Sequence, residues 1–214
     1  MQYSTALSDG VLALACLACA IAIGRARPRY AEGDQPALFC ALLGFAASAA
    51  AAAVAAVQPG NDPDWLAATL WLEQATTFLA LPLLGVVALT LGRRWTWSRP
   101  NWGRVILGLC AFFELFRQLN QLDDYRLLLS LASLLLVLYA GALQWPQRLP
   151  LALAGGAVGL FLLAAYAAGG DGLVASMQRI DLLHGLLIPA YPLLAWLLLS
   201  LPGNRRTENP VKTL

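Results

Sequence analysis

The sequence predicts an all-α polytopic membrane protein of seven transmembrane helices, N-terminus outside and C-terminus in the cytoplasm. Three observations predict it. Of 214 residues, 59% are hydrophobic and 12% charged, where a soluble domain carries about 25% charged residues, and the mean hydropathy is +0.65. The apolar residues gather in blocks near the ~20 residues that cross ~30 Å of hydrocarbon as a helix, not in the short alternating segments of a barrel. Arginine is concentrated in every second link between blocks, which the positive-inside rule assigns to the cytoplasm.

The first span is expected over residues 7–24. Asp9 precedes it with no Lys or Arg, and Arg25, Arg27 and Arg29 follow it, the reverse of a cleavable signal peptide. The second, 36–57, carries Gly44, Ser48, Ala52 and Ala56 at every fourth position, a small-residue stripe that lets backbones approach. The third, 65–92, contains Pro82. The fourth, 103–119, is short and ends among Glu114 and Arg117. The fifth and sixth, 126–144 and 149–168, follow, the sixth with Gly155 and Gly159 in the same spacing. The seventh, 180–201, contains Pro189 and Pro192. Spans two and six are therefore expected inside the bundle, and spans three and seven are expected to kink where proline removes a backbone donor. The transmembrane domain covers residues 1–203, and 204–214 form a cytoplasmic tail.

The arginines after spans one, three, five and seven (Arg25, Arg27, Arg29; Arg93, Arg94, Arg99, Arg104; Arg148; Arg205, Arg206) outnumber Arg117, Arg126 and Arg179 on the opposite side. Trp65, Trp95, Trp97, Trp102 and Trp145 fall at span ends as interfacial anchors. Cys16, Cys19, Cys40 and Cys110 lie within apolar blocks and read as free thiols, not a disulfide framework. A net charge of +2 spread over the links excludes a nucleic-acid-binding face. Gly169-Gly170-Asp171-Gly172 reads as a turn between spans. No nucleophile elbow, Walker loop or dinucleotide fingerprint is present, and one histidine cannot supply paired haem ligands.

This topology places Asp9, Glu73, Gln74, Glu114, Arg117, Asp181 and His184 at one level near the outer face. Asp181 and His184 are spaced i,i+3, as are Glu114 and Arg117, so each pair shares a helix face. Ionisable groups within spans are costly unless they pair or line a wet cavity. They are therefore expected to meet around an outward-opening pocket, with Glu73 buried and partnered by Arg117 or His184. Glu114 with Arg117 also reads as a self-neutralising helix pair, and Ser48 as part of the packing stripe.

Thr5-Ala6-Leu7-Ser8-Asp9, the Gly44-containing second span, Leu70-Trp71 and Asp181-Leu-Leu-His184 resemble an uncharacterised bacterial seven-helix family. That family in turn is similar to the alkaline ceramidase and adiponectin-receptor superfamily of membrane hydrolases. The resemblance implies a zinc site built from a second-helix histidine four residues after a serine and a seventh-helix His-x-x-x-His pair. Ser48 and His184 occupy two of those positions, but Ala52 and Ile188 stand where the other histidines belong. Catalytic zinc takes three protein ligands and an open position.

The leading expectation is a non-catalytic or degenerate seven-helix protein with no cofactor. It would bind a lipid or a membrane-protein partner through the outer pocket formed by Asp9, Gln74, Glu114, Arg117 and Ser48. The alternative is a metal-dependent hydrolase of a lipid amide or ester, with His184 and Asp181 as metal ligands or acid and base and Glu73 activating water. Its oxygen-rich donor set would suit Mg²⁺, Mn²⁺ or Ca²⁺. A proton-coupled carrier using Glu73, Glu114 and Arg117 is third. Arginine-, alanine- and leucine-rich composition points to a bacterial inner membrane.

Overall fold

The computed structural model describes residues 2–57, 63–168, 173–174 and 177–203. The helices are α1 (Gln2–Ala26), α2 (Gln35–Val57), α3 (Pro63–Ala75), α4 (Leu81–Gly92), α5 (Arg99–Gln118), α6 (Leu122–Ala142), α7 (Arg148–Ala168) and α8 (Arg179–Ser200). A 3₁₀ turn, Arg27–Arg29, follows α1, and a π-helical turn, Thr76–Ala80, fuses α3 to α4. Leu173–Val174 (β1) and Met177–Gln178 (β2) form a two-residue antiparallel ladder before α8. The sequence Gly169–Gly172 and the tail 204–214 lie outside the described residues.

Six segments are long and apolar enough to cross a bilayer: Thr5–Arg29, Gln35–Val57, Trp65–Gly92, Leu122–Ala142, Arg148–Ala167 and Asp181–Ser200. This is the architecture of a multi-pass helical membrane protein. The remaining long helix, α5, is interrupted by charge at both ends (Arg99, Arg104; Glu114, Arg117) and is not among the six.

Local chemistry sets the boundaries. Asn120 adopts a left-handed φ of 54°, a conformation that asparagine tolerates, and turns the chain from α5 into α6. Asp123 and Asp124 in the first turn of α6 complement the positive end of its dipole. The π turn immediately precedes Pro82. The pyrrolidine ring collides with the carbonyl four residues back and cannot donate to it, and the widened turn relieves both problems. The third span thus answers its proline with a π turn, whereas α8 runs unbroken through Pro189 and Pro192.

Directions follow from which residues touch. Trp65 Nε1 donates to the Val54 carbonyl at 3.2 Å, and a Cβ on Gly44 would meet the Ala80 carbonyl and Leu84, so the third span runs antiparallel to α2. On Gly85 it would lie 2.9 Å from the Ser133 carbonyl oxygen, and Gly92 packs against Ala140. The α4 and α6 helices are therefore parallel, in backbone contact. Gly141 brings α6 against Ala154 and Pro150 of α7. Phe161 meets Tyr191 edge-on with centroids 5.3 Å apart and Gly156 faces Leu193, which makes α7 and α8 antiparallel. Ser8 touches His184 and the Tyr30 hydroxyl donates to the Leu199 carbonyl at 3.4 Å, so α1 and α8 are parallel. Gly203, at φ 39°, lets the end of α8 close over the Tyr30 ring, where a Cβ would come within 2.9 Å.

The small-residue stripe of α2 is interior as expected: Gly44, Ser48 and Ala52 are buried. The expectation for the sixth span fails in detail. Gly155 and Gly159 of α7 have no side-chain or backbone neighbour within 4 Å of a Cβ position, while Ala154, Ala157, Ala164 and Ala167 form the buried face. The alanines that pack recur at spacings of three and seven residues, not at the four-residue spacing of the two glycines. Cys16, Cys19 and Cys40 are buried free thiols and Cys110 is exposed and free.

Candidate functional site

The element directions collect the ends of the bundle into two faces, one mainly basic despite Glu32 and Asp34 and one mainly acidic despite Arg117 and Arg126. One carries the C-terminal ends of α1, α4 and α6 and the N-terminal ends of α2, α5 and α7, with Arg25, Arg27, Arg29, Arg93, Arg94, Arg99, Arg104 and Arg148. The other carries the starts of α1, α3, α6 and α8 and the end of α5, with Asp9, Glu73, Glu114, Asp123, Asp124, Asp181 and His184.

On the acidic face α1 and α8 come together through polar side chains. His184 Nδ1 lies 3.0 Å from Asp9 Oδ1, with the two side chains 14% and 7% exposed. Ser8 Oγ lies 3.2 Å from the same imidazole nitrogen and 3.5 Å from Asp181 Oδ1, the second at the outer limit of a hydrogen bond. Because Nδ1 meets a carboxylate, it carries the proton and donates to Asp9. Glu73, on α3, lies within electrostatic range of both Asp9 and His184. Two helices thus bring an imidazole, two carboxyl groups and a hydroxyl together, with a third carboxyl group, Glu73 of α3, within electrostatic range.

The hydroxyl is what sequence reasoning missed. Ser8 stands beside Asp9 near the start of a helix, where serine is ordinary, and only the α1–α8 contact reveals it. Its proton is given to the Thr5 carbonyl at 2.9 Å, so its oxygen presents lone pairs to the imidazole. In a Ser-His-Asp relay the serine and the carboxylate occupy opposite ring nitrogens. Here both approach Nδ1, and the serine is not poised as a nucleophile.

Glu73 stands near this cluster but is exposed instead of buried. The remaining residues expected in the pocket lie elsewhere. Arg117 is taken by Glu114, with Nε–Oε2 at 2.8 Å and Nη2–Oε1 at 2.7 Å, and Gln118 adds a third bond to that carboxylate. This exposed arrangement is the self-neutralising helix pair, and it leaves Arg117 directed away from Glu73. Gln74 lines a separate crevice of about 130 Å³ between the π turn and α5, with Trp71, Phe78, Cys110 and Phe113. Ser48 donates to its own helix at the Gly44 carbonyl, 3.1 Å away, and lies beside the Tyr191 phenol. Tyr191 is seven residues past His184, about 10 Å along α8, so Ser48 and His184 do not share a site.

Among the described residues, no group of three or more His, Cys, Asp and Glu side chains is arranged to hold a metal ion. No family model, curated protein or solved structure matches the chain.

Proposed function

We propose that this is a seven-span membrane protein, N-terminus outside, that binds the polar headgroup of a lipid in the recess formed by Ser8, Asp9, Glu73, Asp181 and His184. The observation that carries the proposal is the Asp9–His184 contact at 3.0 Å, with Ser8 beside the same imidazole, Asp181 3.5 Å from Ser8 and Glu73 nearby. A recess rich in acceptors, with one imidazole between them, suits a ligand that offers hydroxyl, amide or ammonium donors. Asp181 and Ser8 orient it, and exposed Glu73 meets it at the bilayer surface.

The seventh span is α5. Since α4 and α6 point the same way, the connection between them must travel back across the bundle. Phe113 against Phe78 and Phe116 stacked on Tyr125 at 4.5 Å support α5 as that return. The arginine-rich face supports a cytoplasmic assignment for that end, in a bacterial inner membrane. The resemblance to the ceramidase-like superfamily is consistent with a lipid ligand and with lost catalysis, since Ser48 and His184 lie apart.

The test is to purify the full chain in mild detergent and identify co-purifying lipids by native mass spectrometry. A headgroup species retained by the wild type and lost in Asp9→Asn and Glu73→Gln supports the reading. Retention of a protein partner instead of a lipid, or stoichiometric metal abolished by His184→Ala, overturns it.

One observation favours the hydrolase as second reading: Nε2 of His184 has no partner among the described residues, and Glu73 is within range. Under it, Nε2 would hold a divalent ion together with carboxylates, and Glu73 would take a proton from water. Turnover of fluorescent lipid amides that depends on added divalent ion, and is lost in His184→Ala, separates it from binding alone.

A further inference from the structure

The opposite face of the molecule holds a second site. Between the 3₁₀ turn, α2 and the start of α5 lies a cleft of about 420 Å³, lined among others by Arg27, Gln35, Phe39, Arg99, Trp102 and Ile106. Two of its lining residues carry a buried donor without an acceptor among the described residues: Nε of Arg27 and Nε1 of Trp102. Trp102 keeps only 3% of its surface, so its N–H is shielded from water. A buried, unmatched N–H is costly, and two such donors on residues of one cleft suit a ligand that brings acceptor oxygens.

Positive charge predominates in its lining, with Arg27 and Arg99 and no Asp or Glu among the lining residues, although Glu32 and Asp34 lie in the chain segment just before Gln35. Arg27 is held over the Phe39 ring, 5.4 Å from its centroid, and neither Arg27 nor Arg99 takes part in an ion pair among the described residues. The first turn of α5 adds the positive end of its dipole, although the N–H groups of Asn101 and Trp102 are already bonded to the Ser98 carbonyl. Guanidinium forks match the oxygens of a phosphate.

The remaining walls are apolar. Phe39 and Leu43 on α2 and Leu107 on α5 are exposed below the cleft, and continue its floor along the helix surfaces toward the bundle middle. A small anion would not use that floor. We infer that the cleft binds an anionic phospholipid, its phosphodiester held by Arg27, Arg99 and the Trp102 indole N–H and an acyl chain lying along Phe39, Ile106 and Leu107. The site lies at the end opposite Asp9 and His184 and stands whether or not the outer recess binds lipid.

The experiment titrates purified full-length protein in non-ionic detergent with phosphatidylglycerol, with phosphatidylcholine of the same chains, and with inorganic phosphate, reading occupancy by native mass spectrometry. Phosphatidylglycerol should bind in preference to phosphatidylcholine. Arg27→Gln with Arg99→Gln should weaken it roughly tenfold or more, as the loss of charge-assisted bonds implies, and Trp102→Phe should weaken it about threefold or more by removing one N–H. Arg25→Gln with Arg94→Gln, which removes the same charge outside the cleft, should leave the affinity within about twofold. Circular dichroism checks each fold, and Trp102→Phe alone decides the matter if the double variant does not fold. Equal binding by wild type and Trp102→Phe, an equal loss in the Arg25/Arg94 control, or displacement of the lipid by inorganic phosphate at comparable concentration would each overturn the assignment.

Discussion

Replacing His184 by alanine leaves the Asp9 carboxyl in the recess without its donor. The pair is 3.0 Å apart, with side chains only 7% and 14% exposed, so neither group is well solvated. A hydrogen bond to a charged group is worth about 1.5–3 kcal/mol net. His184→Ala removes such a bond from Asp9 and should destabilise the protein by about 1.5–3 kcal/mol. Asp9→Ala removes the same bond. The double variant should therefore be less unstable than the two losses added together, with a coupling of about 1–2 kcal/mol. Equilibrium unfolding in mixed micelles, followed by circular dichroism, measures the cycle. Additivity within about 0.5 kcal/mol would show that the contact between α1 and α8 does not hold these helices, and would remove the basis for the recess.

Four further outcomes follow from the packing. Gly141→Ala places a methyl 2.5 Å from the Ala154 Cβ and 2.8 Å from the Pro150 carbonyl, so α6 and α7 must separate, and a loss of about 1–3 kcal/mol is expected in the same unfolding assay; Gly155→Ala, with no neighbour to meet, should be neutral. Tyr191→Ala empties a buried site between Phe45 and Phe161 and should cost about 3–5 kcal/mol, while Tyr191→Phe keeps the rings and loses only the bond region beside Ser48. Glu114→Gln should leave the melting temperature unchanged, since the Arg117 pair is solvent-exposed and such pairs contribute little. In a Cys110→Ala background, Leu7→Cys should react with a membrane-impermeant maleimide from outside intact cells and Arg148→Cys only after lysis; the reverse pattern would invert the proposed orientation.

Helix positions were legible because apolar block length is a property of the chain alone. Each of the seven expected spans overlaps a helix or helix pair with ends displaced by a few residues, from 7–24 against Gln2–Ala26 to 103–119 against Arg99–Gln118. Rotation about the helix axis was less legible. Glu73 was expected buried and is exposed, and Gly155 and Gly159 were expected at an interface and face outward, since in lipid both sides of a span are apolar and the pattern does not say which side meets a neighbour. Gly85, in direct contact with the Ser133 backbone, has no glycine partner four residues away to draw attention to it. The level of Asp9, Asp181 and His184 was legible from span order, but the closing of Ser8 onto His184 depends on α1 lying beside α8, which no local pattern encodes. The Trp102 N–H was hidden for a related reason: tryptophan at a span end reads as an anchor, and only the cleft shows that it faces inward.

The side-by-side, same-direction contact of α4 and α6 bears on how the chain enters a bilayer. On the seven-span topology, α5 is the least oily crossing; its first half packs on the core through Trp102, Ile106 and Leu109, and its far end through Phe113 on Phe78 and Phe116 on Tyr125. Its partner Tyr125 is synthesised after it, whereas Phe78 and the core beside Trp102 precede it. The end of α5 is therefore completed only by α6, so that a chain truncated at residue 121 should hold α5 across the membrane less fully than one extended through α6.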